Sequence, residues 1–184
     1  MARYFTALDI PVYLHADIAK LQTDLPHAHW SPAANWHITL NFLGDLNKNQ
    51  IVDIGEALLQ FELEDFELRL EGAGCFVHEG QSQYLWLKPM PDDDLQKCYQ
   101  KLRYLFEKQG VHFEKRAYVP HMTLAKIKKT PNMALEKYVT EKSGYKSEFF
   151  FAENIILYQS HLTKHGSIYK EIAKYPLKSA SQIR

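Results

Sequence analysis

The sequence predicts a mixed fold of strands and helices, arranged as two lobes around one cleft within a single domain spanning residues 1–184. Three observations lead there. The order strand, helix, His-x-Thr strand, helix, strand is written twice along the chain. No Gly/Ser/Pro-rich linker parts the copies, so lobes of approximately 1–80 and 81–184 interleave rather than stand as separate domains. Each copy also carries one pattern in one place: His37-Ile38-Thr39-Leu40 in the first and His121-Met122-Thr123-Leu124 in the second.

In chain order, Tyr4 to Ile10 is β-branched and aromatic and stops at Pro11, which reads as a strand. Ile18, Leu21 and Leu25 recur at helical intervals between Val12 and Leu25, and Pro26 closes that pattern. A loop is expected from His27 to Asn35, then the His37 strand, ended by Gly44. Asp45 or Asn47 can cap a helix whose apolar face runs through Ile51, Ile54, Leu58 and Leu59. Phe66, Leu68 and Leu70 alternate with charged residues, a half-buried strand, and Gly72 and Gly74 mark a bend or bulge before Cys75-Phe76-Val77.

The second copy follows a polar turn over residues 78–83. Tyr84-Leu85-Trp86-Leu87 reads as a strand closed by Pro89 and Pro91. Asp92 to Asp94 supply caps and favourable charge for a helix running to Gln109, with Gly110 as its stop. After the His121 strand come a helix over Asn132 to Lys142, strands around Phe149-Phe150-Phe151 and Ile155-Ile156-Leu157-Tyr158, and a final edge strand from Ile168 to Leu177.

Composition narrows the function. Hydrophobic residues at 46% and charged residues at 24% are ordinary globular values and argue against disorder. Lys plus Arg and Asp plus Glu both number 22, so no global basic field holds a long duplex, and a nucleic-acid ligand must be gripped at a terminus or short segment. Cys75 and Cys98 lack metal spacing and are too few for a disulfide framework, and the N-terminus lacks the apolar core of a signal peptide; a reducing cytoplasm is the expected setting. No apolar run approaches the roughly 20 residues that cross a bilayer.

Side chains alternate along a strand, so His37 shares a face with Thr39, and His121 with Thr123. A pseudo-twofold arrangement brings these strands together across the cleft. Two converging imidazoles suit general acid-base chemistry near neutral pH, one neutral and one protonated, and threonine hydroxyls suit anionic phosphate oxygens. A single His-x-Thr in a strand is ordinary half-buried patterning; two copies at matching positions of a repeat point to one phosphoryl-transfer site. Water as nucleophile and a strained cyclic phosphodiester require no metal there.

Other groups carry weaker signals. His27 and His29 lack the acidic or cysteine partners of a metal site, and His161 and His165 flank a turn rather than lie on a helix. Lys126, in the run Lys126-Ile127-Lys128-Lys129, can bring positive charge near a phosphate. Phe42 enters the site, and can stack on a base, if its strand stays regular past Asn41.

These residues resemble the two-histidine (2H) phosphoesterases, most closely the bacterial RNA 2′,3′-cyclic phosphodiesterase branch, also called 2′-5′ RNA ligases. The similarity extends from Arg3-Tyr4-Phe5-Thr6-Ala7-Leu8 through both His-x-Thr strands, Gly74-Cys75-Phe76, Leu85-Trp86 and Leu157-Tyr158-Gln159-Ser160-His161-Leu162 to Gly166 and Tyr169. It implies a bilobal α+β fold with antiparallel sheets lining a V-shaped cleft, no cofactor, and opening of an RNA terminal 2′,3′-cyclic phosphate to a 2′-phosphomonoester. On that pattern His37 protonates ribose O3′, His121 activates water, Thr39 and Thr123 hold the phosphate, and Phe42 meets the terminal base. Lys126 stands where relatives often carry Arg, keeping the charge without the bidentate fork. The implied partner is an RNA 3′ end bound by a monomer, with no membrane. A 2′-5′ RNA ligase, or a non-catalytic module binding RNA ends or nucleotides, are the alternatives.

Overall fold

The computed structural model describes residues 3–78, 81–115, 117–163 and 166–179. Its strands are β1 (Arg3–Asp9), β2 (Ala28–Trp30), β3 (His37–Asp45), β4 (Phe66–His78), β5 (Gln81–Met90), β6 (Met122–Ile127), β7 (Phe150–Ala152), β8 (Asn154–Thr163) and β9 (Gly166–Pro176). The helices are α1 (Val12–Ala19), α2 (Lys48–Leu59), α3 (Asp93–Lys108) and α4 (Asn132–Lys142).

The strands run in the order β7-β4-β5-β6-β3-β1-β8-β9, with β2 added against β6, and the pairings between them are antiparallel. The order is symmetric about its centre: β6 mirrors β3, β5 mirrors β1 and β4 mirrors β8. At that centre a single residue pair, Ile38 opposite Met122, joins the halves. β4, from the first half of the chain, therefore lies on the side of β5 and β6, next to β5, whereas β8 and β9 lie on the side of β3 and β1, with β8 next to β1. Each half borrows strands from the other, giving an α+β architecture in which one nine-stranded antiparallel sheet is joined at its centre by a single residue pair.

Apolar alternation explains which face is buried. Ile38, Leu40, Met122, Leu124, Leu85 and Leu87 are at most 2% exposed and join Leu14, Ile18, Ile54, Leu58, Leu95, Leu102 and Phe106 from the helices in one core. Burying each such side chain contributes about 1.5–3 kcal/mol. The opposite face, carrying His37, Thr39, His121 and Thr123, is left as the cleft.

Several local expectations change. α1 ends at Ala19, not Leu25: Leu21 and Leu25 are buried but anchor turns rather than a helix, so their spacing copied the period without its hydrogen bonds. The stretch from His27 to Asn35 is not a plain loop, because β2 pairs there with β6 and Ala33–Asn35 form one 3₁₀ turn. Asn47 caps α2, its Oδ1 accepting from Gln50 N at 3.0 Å while Gln50 Oε1 accepts from Asn47 N at 3.1 Å. Asp92 occupies the N-cap position of α3 without a side-chain cap. Pro89 lies inside β5, which ends before Pro91. Gly72, at φ +50°, sits at a register shift in β4. Of the turn expected over 78–83, Glu79 and Gly80 lie outside the described residues, as does His165.

Candidate active site

The two histidines repeat one local geometry. His37 Nδ1 lies 2.7 Å from the carbonyl oxygen of Asn35, and His121 Nδ1 lies 2.8 Å from that of Val119. A carbonyl only accepts, so each ring places its Nδ1–H on the chain two residues upstream and presents Nε2 as its free basic atom. The supports differ. Asn35 closes the 3₁₀ turn, its N–H donating to Pro32 O at 2.8 Å, and its side-chain amide donates to Ser167 O on β9 at 3.3 Å. Val119 lies in the segment before β6, which Tyr118 ties across the seam by donating its hydroxyl to Thr39 O at 2.9 Å.

Aromatic rings pack on both imidazoles. His37 lies 5.1 Å from Phe5, 6.0 Å from Tyr158 and, edge-on, 5.0 Å from Tyr169. Phe76 meets His121 edge-on at 4.7 Å and Trp86 at 5.4 Å. Trp86 in turn lies over Gly74, where a methyl group would overlap its indole. The Gly74-Cys75-Phe76 stretch is thus a floor for His121.

This packing sets the electrostatics. Burial lowers the His37 ring from 6.5 to about 4, against the opposing pull of the Asn35 carbonyl and reinforced by repulsion from His121. Burial also lowers His121, again against the hydrogen bond to Val119. Both rings are neutral at pH 7 in the free chain, and negative charge arriving between them restores their affinity for a proton. The charge of His121 acts on His37, as expected of two rings that share one cleft.

The Ile38–Met122 pair is antiparallel, so continuing its count by one residue sets His37 opposite Thr123 and Thr39 opposite His121. Ile38 and Met122 point into the core and all four flanking side chains project into the cleft. The hydroxyls of Thr39 and Thr123 make no hydrogen bond among the described residues and are free for a ligand.

Phe42 and Lys126 reach the same cleft by irregularity, which corrects the expectation placed on Phe42. Regular alternation would bury Phe42 with Ile38 and Leu40. Instead the β1–β3 register passes from Thr39 to Asn41, bulging at Leu40; Asn41 turns inward at 1% exposed and Phe42 outward at 70%. The β5–β6 register likewise passes from Thr123 to Ala125, bulging at Leu124, and Lys126 turns outward. Phe42 and Lys126 are therefore equivalent positions of the repeat. Phe76 and Tyr158 lie in stretches that carried the resemblance but had no role assigned, and Tyr118 and the bulges at Leu40 and Leu124 went unread; the repeated Thr-Leu followed by an inward-facing Asn41 or Ala125 is the one trace the bulges left.

His27 and His29 lie at and beside β2, His27 at φ +60°, and no cluster of three or more His, Cys, Asp or Glu among the described residues could hold a metal ion. His161 Nε2 lies 3.0 Å from Gln159 Oε1 near the end of β8, outside the paired-histidine site. No helix among the described residues is long and apolar enough to cross a membrane.

Two His-x-Thr strands joined at a pseudo-twofold seam, on a bilobal α+β scaffold, define a two-histidine phosphoesterase. The chain belongs to the 2′-5′ RNA ligase superfamily, whose family profile matches residues 10–156. It is 32% identical over 152 residues to the RNA 2′,3′-cyclic phosphodiesterase of Aeropyrum pernix, covering 82% of this chain and 85% of that one. The enzyme of the same description from Thermotoga maritima is 31% identical over 174 residues, covering 91% of each chain. The crystal structure of E. coli LigT in apo form shares the fold with a TM-score of 0.78 at 20% identity, covering 96% of this chain and 97% of that one.

Proposed function

We propose that this chain is an RNA 2′,3′-cyclic phosphodiesterase that needs no metal. The observation that carries the reading is the matched pair of imidazoles, each fixed through Nδ1 and each offering Nε2 to one cleft beside a free threonine hydroxyl. Relatives at about 30% identity over most of the chain bear that activity in their names.

In the proposed reaction Thr39 and Thr123 donate hydrogen bonds to the non-bridging oxygens of the cyclic phosphate. Neutral His121 takes a proton from water as the water oxygen bonds to phosphorus. The P–O3′ bond breaks and His37, protonated in the presence of the phosphate charge, delivers its proton to O3′. The products are a 2′-phosphomonoester and a free 3′-hydroxyl. The depressed ring of His37 makes its imidazolium a stronger acid than an ordinary histidine's, which suits donation to an alkoxide leaving group. Phe42 offers an exposed face to the terminal base, and Lys126 adds positive charge on the opposite side of the seam. The protein acts as a monomer on RNA 3′ ends in a reducing cytoplasm.

The test is incubation of an oligoribonucleotide ending in a 2′,3′-cyclic phosphate with protein and excess chelator. A 2′-phosphate product at undiminished rate is expected. A 3′-phosphate product, loss of turnover on chelation, or joining to an added 5′-hydroxyl strand faster than hydrolysis would each overturn the assignment.

A further inference from the structure

The repeat is chemically unequal at one pair of equivalent positions. Phe42 gives the cleft an aromatic end, and Lys126 gives it a cationic one. Around Lys126 the fold assembles more than one charge. β2 pairs His29 with Lys126, and β5 pairs Tyr84 with Lys126 on the other side. Directly paired residues project from the same face of a sheet. All three are exposed, while Leu85, Ala125 and Ile127 on the opposite face are at most 3% exposed. His29, Lys126 and Tyr84 therefore form a transverse row on the cleft face.

The row continues outward and inward. Lys128 is exposed two residues beyond Lys126, and Lys129 follows in a turn at φ +63°. Lys126, Lys128 and Lys129 form no ion pair among the described residues, so three uncompensated positive charges lie close together there. Inward, Tyr84 lies two residues from Trp86, which pairs with Thr123 and whose ring meets Phe76 beside His121. The lysines and Tyr84 thus extend outward along β5 and β6, the strands that carry Trp86 and Thr123.

Distance decides what the outer part can contact. Lys128 lies roughly 16 Å along the strand from Thr123 at about 3.3 Å per residue. A lysine side chain spans only part of that, so Lys128 and Lys129 do not serve the reacting phosphate. Unpaired lysines beside an exposed aromatic ring match the backbone and bases of single-stranded nucleic acid. With a net charge of zero over the chain, this local row is the means of attracting it.

Resting on the phosphodiesterase reading, we infer that the face formed by His29, Tyr84, Lys126, Lys128 and Lys129 is a second subsite that binds the RNA strand upstream of its cyclic-phosphate end. An oligoribonucleotide is then turned over with a higher kcat/KM than a free cyclic mononucleotide. Phosphodiesters lie along the lysines and a base stacks on Tyr84.

The experiment compares wild type with K128Q/K129Q and with a charge-matched control, K97Q/K137Q, on α3 and α4. Two turnover substrates are used, a 2′,3′-cyclic mononucleotide and a ten-residue oligoribonucleotide ending in a 2′,3′-cyclic phosphate. Affinity for a fluorescent ten-residue strand ending in a 3′-phosphate is measured without turnover across a salt series. K128Q/K129Q is expected to lower kcat/KM on the oligonucleotide and its affinity about tenfold, leave the mononucleotide within twofold, and make the log-log salt slope shallower by about 1.4, the value for two contacts to a single strand. Oligonucleotide values within twofold of wild type, equal losses on both substrates, or the same loss in the control would overturn the subsite. Wild-type protein that turns over neither substrate while binding the strand through these lysines would overturn the phosphodiesterase reading and leave the subsite standing.

Discussion

Ile38 and Met122 are the one cross-strand pair through which β3 meets β6, and both are fully buried. Their neighbours on either side are the four polar side chains of the site, so the pair acts as the pivot that fixes the spacing of the histidines. Replacing Ile38 with Ala removes a core side chain at that pivot. It is expected to cost about 2–5 kcal/mol in denaturant unfolding and to lower kcat even under conditions where the variant is fully folded. Wild-type kcat in the folded variant would show that the seam does not position the site.

Tyr118 spans the same seam, donating to Thr39 O at 2.9 Å and stacking on Tyr99 with ring centroids 4.1 Å apart. Tyr118→Phe keeps the stack and removes the donor, leaving a carbonyl unpaired at a cost of about 1–3 kcal/mol. Because Thr39 is the residue whose carbonyl is freed, kcat should fall several-fold with a smaller change in KM. An unchanged kcat alongside lower stability would reduce Tyr118 to a structural strut.

Gly74 is required by Trp86, because any Cβ there overlaps the indole on which Phe76 rests. Gly74→Ala should destabilise the fold by about 1–3 kcal/mol through overpacking and displace the ring that supports His121. Thermal unfolding and kcat measured together test this; wild-type values for both would contradict the packing.

The pH dependence follows from the buried rings. His37 is lowered from 6.5 to about 4 on folding, so between these values the unfolded chain binds the proton more readily. Stability should fall as pH drops from 6.5 towards 4, and His37→Gln should lose less over that window. For turnover, kcat/KM reports the free protein and should be bell-shaped with its maximum on the acid side of neutrality. The profile of kcat, which reports the complex, should be displaced to higher pH by the phosphate charge. A rate rising steadily from about pH 5 to 9 would exclude one neutral and one protonated histidine.

Much of this was legible in the residues. The repeated His-x-Thr strands, α4 from Asn132 to Lys142 and the Asn47 cap follow from local pattern and chemistry, which act within a few residues. What was hidden depends on partners far along the chain. β2 is three residues long and exists because β6 offers an edge; Tyr118 matters because of Thr39, which is distant in sequence. Phe42 and Lys126 were picked out from the sequence, but a bulge, which inserts a residue without changing composition, is what turns them towards the cleft.

The central claim is that His37 and His121 act as one acid-base pair. Its most direct measurement is single-turnover hydrolysis of an RNA 2′,3′-cyclic phosphate by His37→Ala, by His121→Ala and by the double variant. Each single change should slow the reaction by about 10²- to 10⁴-fold, with the double variant little slower than either. Undiminished hydrolysis in both single variants would contradict the account.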